Sequence, residues 1–207
     1  MNTLTSSYTR SKPSPTCDVR ARILAAAGER FSQFGYNKTT MAEIARDCDM
    51  SAANLYRFFK NKLDIGSNLA CACLDTKLLL INNAVQQTQQ SAAERLHNVV
   101  LQILSHTHNE WANNPRINEM VTAICDARLE IVNQYELNRH NLIVELLEDG
   151  VRRDEFSIPD VQDAAEAITT AITLFSVPLF MSLHNLETFE KRAESVVRLM
   201  LNGLEKR

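Results

Sequence analysis

The chain has 207 residues, 45% hydrophobic, 23% charged and 6% aromatic, with a formal net charge of −3. That length suits one large or two small globular units, and with only five glycines and five prolines and no strongly alternating run of strand length, an all-α fold is expected. Five cysteines, an odd number at irregular spacings (17, 48, 71, 73 and 125), argue against a disulfide framework and for a reducing, cytoplasmic setting.

Residues 1–17 are polar, with Pro13 and Pro15 among serines and threonines. They read as a mobile arm without a secretory signal, on which Arg10 and Lys12 could reach a DNA minor groove. Val19 to Phe34 then sets Ile23, Leu24, Ala27, Phe31 and Phe34 on one stripe, and Gly35 is a suitable helix stop. Thr40-Met41-Ala42-Glu43 has capping-box spacing, so a second helix starts at about Thr40. Met41, Ile44, Ala45 and Cys48 form its buried side. Asp49 falls where a left-handed turn residue is needed, and Ser51 can cap the next helix. In that helix Leu55 and Phe59 share a core-facing side, which turns Ala52, Ala53, Asn54, Tyr56, Arg57 and Phe58 outward.

Two short capped helices around a tight turn make a helix-turn-helix. The small residues at the mouth of its second helix permit close approach to a major groove. Arg57 can donate two bonds to a guanine edge, Tyr56 can reach a phosphate, and Lys60 and Lys62 add contacts to the backbone. Charge agrees with this reading. Residues 1–62 carry ten Lys/Arg against five Asp/Glu, a net of +5, and residues 63–207 a net of −8, so a basic head sits on an acidic body.

Phe-Ser-Gln-Phe-Gly-Tyr (31–36), Thr-Thr-Met-Ala-Glu-Ile-Ala (39–45) and Met-Ser-Ala-Ala-Asn-Leu-Tyr-Arg-Phe-Phe-Lys-Asn-Lys (50–62) follow one another at the spacing of TetR/AcrR-type regulators. Over about residues 19–65 the chain resembles the N-terminal domain of that family. The resemblance implies that Thr40 and Met41 lie near DNA, that Ala52, Ala53, Asn54, Tyr56, Arg57 and Phe58 sit on the recognition helix, and that Lys62 opens the fourth helix. Two positions depart from the family pattern. Cys48-Asp49 replaces the usual small residue and glycine of the turn, and Ala52-Ala53 opens the recognition helix with fewer polar groups to read bases.

Downstream, helices are expected over Lys62 to about Gln87, Ala92 to Asn113, Pro115 to Ala127, and from there to about Asp154, broken or joined near Arg128. Gly150 falls late in that last segment, where it should cost little. A further helix runs from Asp160 to a stop or kink at Pro178, and a final one from Leu186 to Leu204. The Asp160 segment is rich in Ala and Thr and apolar over more than one face, so with the final helix it can form a four-helix interface between two chains. A homodimer also suits DNA reading, because two heads on a two-fold axis match a palindromic operator.

The resemblance further implies a small-molecule effector bound among the middle helices. The polar and aromatic candidates there are His106, Asn109, Trp111, Met120, Cys125, Asp126, Arg128, Tyr135 and Phe175. Trp111, the only tryptophan, reads more readily as core filler, Asp126 and Arg128 as surface or helix-end charges, and His106 and His108 cannot both face one cavity. Glu94-Arg-Leu-His97 has the Glu-x-x-His spacing of di-metal carboxylate sites but lacks the second copy such a site needs, and nucleophile, phosphate-loop and zinc signatures are missing. The reading is therefore not an enzyme and needs no metal or cofactor, and the stretch 164–181 is too interrupted to span a membrane.

The expected organisation is an N-terminal arm (1–17), a DNA-binding domain (18–62) and a helical ligand-binding and dimerisation domain (63–207). The expected function is a homodimeric, ligand-responsive repressor. The alternative is a helical dimer that binds a small molecule or protein and associates with nucleic acid only nonspecifically.

Overall fold

The computed structural model describes residues 15–114 and 116–204. The rest of the expected arm, with Arg10 and Lys12, lies outside the described residues. Helix α1 runs from Pro15 to Phe34, starting four residues earlier than the apolar stripe suggested. Proline tolerates this position, since an amide at the first helical residue has no partner to lose. Ile23, Ala27 and Phe31 are buried. Gly35 ends the helix at φ 91°, with its amide bonded to the Phe31 carbonyl at 2.9 Å, a conformation that glycine adopts without a Cβ penalty.

Helix α2 (Met41–Asp47) is capped as its sequence dictates. Thr40 Oγ1 accepts from the Glu43 amide at 3.3 Å, and Glu43 accepts from the Thr40 amide at 2.9 Å. Asp49 takes the left-handed turn conformation at φ 53°, and the Ser51 hydroxyl accepts from the Asn54 amide at 3.2 Å. Helix α3 (Ala52–Leu55) is a single turn. Beyond it the chain tightens to three-residue bonds, Arg57 N–H to the Asn54 carbonyl and Phe58 N–H to the Leu55 carbonyl. Leu55 and Phe59 are sealed in the head core with Ile23, Phe31, Ile44 and Ile65.

Helix α4 (Lys62–Val85), capped by Asn61, belongs to both cores. Ile65 packs in the head, whereas Ile81, Ala84 and Val85 pack in the body. The body is built on α5 (Ala92–Asn113), whose Leu96, Val99, Val100, Ile103 and Leu104 are buried at 0 to 1% exposure. Around α5 stand α4, α7 (Leu129–Arg152) and α10 (Leu186–Leu204), while α6 (Ile117–Ala127) bridges to the head by packing Met120 and Ala123 on its core. The α6–α7 junction breaks at Arg128 (φ −141°, ψ 50°), whose guanidinium is held by Glu130 and Ser67.

The segment expected as one helix from Asp160 to Pro178 is two. Helix α8 (Val161–Ala171) is followed by the short α9 (Thr173–Ser176) and a 3-10 turn over Pro178–Leu183. Pro178 has no amide to continue the ladder. The hydroxyls of Thr173 and Ser176 bond back to the carbonyls of Thr169 and Thr173 at 3.0 and 3.1 Å, which competes with regular helix. Gly150 also needs correction. A Cβ there would lie 2.4 Å from the Phe156 ring and 2.8 Å from Ala92 Cβ, so the glycine admits a close crossing.

Three cations lie in the interior where only apolar stripes were expected. Lys77, Arg95 and Arg139 are 1 to 2% exposed. Arg95 donates to the Val85 carbonyl at 3.0 Å and pairs with Asp149, which offsets part of the cost of burying its charge. No helix among the described residues is long and apolar enough to cross a membrane.

Candidate functional site

The outer side of the helix-turn-helix carries the first candidate surface. Tyr56 is 53% exposed, and Thr40, Ala53, Arg57 and Lys60 are exposed, while Ala52, Asn54 and Phe58 are half-buried. Ala52 and Phe58 lean on the head core. Met41 requires a correction, because its side chain is buried in that core and only its backbone remains for an outside partner. Apolar spacing that makes α2 amphipathic places Met41 on the same stripe as Ile44 and Ala45.

Four of the eight described cations of the head are spent internally. Arg20 bonds the Phe58 carbonyl, reaches Asn68 Oδ1 at 3.3 Å and lies 4.2 Å above the Phe59 ring. Arg22 bonds the Cys48 carbonyl at 3.4 Å. Arg30 grips Asp47 with two donors and lies 3.5 Å from Glu43. Lys62, expected to meet a phosphate, instead donates to the Tyr36 carbonyl at 2.7 Å and the Asn37 carbonyl at 3.3 Å, with its ammonium 4.5 Å from the Tyr36 ring centre. Burial pushes its ammonium below its usual value. The described cations left exposed, with no hydrogen-bonded or ion-paired side-chain partner, are Lys38, Arg46, Arg57 and Lys60. Lys38 and Arg46 were not singled out from the sequence. Lys38 stands two residues before the Thr40 cap, a position that could have marked it.

The second candidate site is a cavity of about 120 Å³ between α4, α6, α7 and the segment Ser176–Pro178. Of the residues expected to meet a ligand, Met120, Cys125 and Tyr135 line it. The other six do not. Phe175 is sealed in the body core edge-to-face with Phe189, Trp111 packs beside His108 against the same core, Asn109 is exposed, and His106 lies 3.5 Å from Glu110. Asp126 is exposed on α6.

The cavity is mostly apolar, but one side carries a chain of polar groups that sequence reading missed. The Lys77 ammonium donates to the Ser176 carbonyl at 3.1 Å and stands 3.9 Å from Glu110. The Cys73 thiol donates to Glu110 at 3.1 Å. Arg139 donates to Ser176 Oγ at 3.1 Å and to the Thr169 carbonyl at 3.2 Å, and pairs with Glu136. The Tyr135 hydroxyl makes no well-formed hydrogen bond among the described residues, and its nearest charged neighbour is Arg139, whose guanidinium lies 5.7 Å from the ring centre. Burial pushes both the Cys73 thiol and the Tyr135 phenol up to about 12, so both stay protonated at neutral pH. The missed signal is positional. Lys77 stands four residues before buried Ile81, and Arg139 stands four after Tyr135 and four before Ile143, all on buried stripes.

Between the two sites, α6 touches the turn after α1. Glu119 accepts from the Asn37 amide at 3.0 Å, and a Cβ on Gly35 would fall 2.7 Å from its carboxylate. One helix therefore lines the cavity with Met120 and contacts the head with its neighbour Glu119. The Glu-x-x-His pair has other uses, since Glu94 completes a capping box with Ser91 and His97 meets Glu194 of α10 at 2.9 Å.

Comparison with known proteins bears on both sites. Residues 23–65 match the family described as bacterial regulatory proteins, tetR family, and residues 92–197 match the family described as tetracyclin repressor-like, C-terminal domain. The chain is 27% identical over 165 residues to the HTH-type transcriptional regulator TtgR of Pseudomonas putida, covering 77% of this chain and 76% of TtgR. It is 22% identical over 206 residues to the HTH-type transcriptional regulator QacR of Staphylococcus aureus, covering 91% of this chain and 100% of QacR. A crystal structure described as a TetR-family transcriptional regulator from Mesorhizobium loti shares the fold, with a TM-score of 0.71 over 94% of this chain and 100% of that one at 14% identity. With both parts of its helical architecture matched, the chain belongs to the tetR family of bacterial regulatory proteins and is a DNA-binding regulator of transcription.

Proposed function

We propose that the protein is a homodimeric repressor in the cytoplasm that holds a palindromic operator until a small molecule enters the cavity between α4, α6 and α7. The observation that carries this reading is the dual role of α4 and α6. Both line the cavity, and both pack against the head that presents Tyr56 and Arg57. Ligand entry that shifts α6 moves Glu119 away from Asn37 and tilts α4, which changes the separation of the two recognition segments. The size of the response is set by the ligand's preference for one of the two states. On the operator, Arg57 reads a base edge with help from Asn54. Thr40, Tyr56, Lys60 and the unpaired Lys38 fix the backbone, and Ala52 and Ala53 allow close approach. Lys62 supports this surface from behind.

Fluorescence anisotropy on a footprinted operator across salt concentrations tests the head. Arg57→Ala should cost about 1–3 kcal/mol on the operator and little on random DNA. Lys60→Ala should weaken binding to both and lower the salt slope by about one. A flat salt response, or an Arg57→Ala protein that binds operator as tightly as the parent, would remove the assignment.

A further inference from the structure

The cavity's polar side says more about its ligand than its apolar side does. Lys77 is almost sealed, with side-chain exposure of 3%, while its counter-charge Glu110 keeps 26%. The second pair repeats the asymmetry, with Arg139 at 2% and Glu136 at 45%. Of these four groups Lys77 and Glu136 line the cavity; Glu136 is open to solvent and paired with Arg139, so it is screened more than Lys77, which is the sealed charge at the cavity wall. Glu110 also has other partners, taking the Cys73 thiol at 3.1 Å with His106 at 3.5 Å. Lys77 has one hydrogen bond, to the Ser176 carbonyl, out of three donors. Tyr135 is 7% exposed, lines the cavity and has an unpartnered hydroxyl. Leaving such groups unmade is costly, and a ligand acceptor can satisfy them.

We infer that this cavity takes a small apolar monocarboxylate whose carboxylate accepts from the Lys77 ammonium and the Tyr135 hydroxyl, its apolar part lying against Leu74, Met120 and Ile124. The inference rests on the reading of this cavity as the effector site. The size is set by the volume of about 120 Å³, near the roughly 150 Å³ of an apolar cavity that admits benzene, so a single substituted ring or a short chain fits. An organic cation is disfavoured, because it would meet Lys77 and find Glu136 already held by Arg139.

Calorimetric titration of the full-length protein with two shape-matched series tests this. One series is 4-methylbenzoate, 4-methylbenzamide and 4-methylbenzylamine, the other hexanoate, hexanamide and hexylamine. In at least one series the carboxylate should bind most tightly and the amine least. Tyr135→Phe removes only the unpartnered hydroxyl, so it should leave the stability of the free protein equal or higher while lowering carboxylate affinity by about tenfold. Lys77→Met should abolish the preference for carboxylate over amide. The inference is overturned if neither carboxylate binds, if an amine binds as tightly as its carboxylate, or if Tyr135→Phe, with its fold intact, leaves carboxylate affinity unchanged. Operator occupancy measured in the same samples separates the two readings. Carboxylate binding without operator release supports the ligand chemistry and removes the effector role, whereas release by an amide or amine alone keeps the effector role and overturns the chemistry.

Discussion

At the scale of single residues, the head and body treat charge differently. The head spends Arg20, Arg22, Arg30 and Lys62 on its own carbonyls and carboxylates, so Lys38, Arg46, Arg57 and Lys60 remain to meet DNA. The body buries Lys77, Arg95 and Arg139, each held by carbonyls and a carboxylate. The Arg95–Asp149 pair gives a measurable consequence. Burial alone would raise the Asp149 carboxyl, but hydrogen bonds from Arg152 and Arg95 outweigh it and hold the group below its usual 3.8. A carboxyl whose folded value lies below its unfolded value stabilises the fold at pH above the unfolded value, and that contribution fades as pH falls through the folded value. Asp149→Asn should therefore lower stability at pH 7 by about 1.5–3 kcal/mol, and the gap from the parent should close as pH drops below 3.8. Urea unfolding at pH 7 and at pH 3 measures both, and an equal gap at the two values would refute the assignment.

At the scale of elements, capping signals written in the sequence were read well. The Thr40–Glu43 box, the Asp49 turn, the Ser51 cap and the Gly35 stop all have the expected local geometry, because each depends on residues within a few positions of one another. The Asp160 segment was harder. Its break before Pro178 depends on hydroxyls of Thr173 and Ser176 and on Arg139 arriving from α7 to share the Thr169 carbonyl. Gly150 makes the same point as a prediction. Helix propensity favours Gly150→Ala by about 1 kcal/mol, but the crossing of Phe156 and Ala92 leaves no room for the methyl group. Overpacking should prevail and destabilise the protein by about 1–3 kcal/mol. Thermal unfolding decides the sign, and a stabilised variant would mean that the crossing relaxes.

At the scale of the whole molecule, the outer faces of α8 and α10 stay open. Leu199 is 74% exposed, and Ala167, Thr170 and Ala171 are exposed on α8. In the proposed dimer these faces meet their copies and set the two heads about one DNA turn, roughly 34 Å, apart. Leu199→Glu combined with Ala171→Glu should yield monomers by sedimentation at micromolar concentration. Operator affinity should then fall by about two orders of magnitude as the second head's effective concentration is lost, while circular dichroism stays unchanged. A dimer of undiminished operator affinity would move the interface elsewhere. Sequence alone determined the helical class, the helix boundaries in most of the chain and the helix-turn-helix, because periodicity and capping are local. Only the tertiary structure decided that Lys62 turns inward, that Phe175 and Trp111 pack away from the cavity, and that Lys77 and Tyr135 both line it. Those outcomes depend on which helices pack together, and contacts between residues as distant as Lys77 and Ser176 have no signature in local spacing.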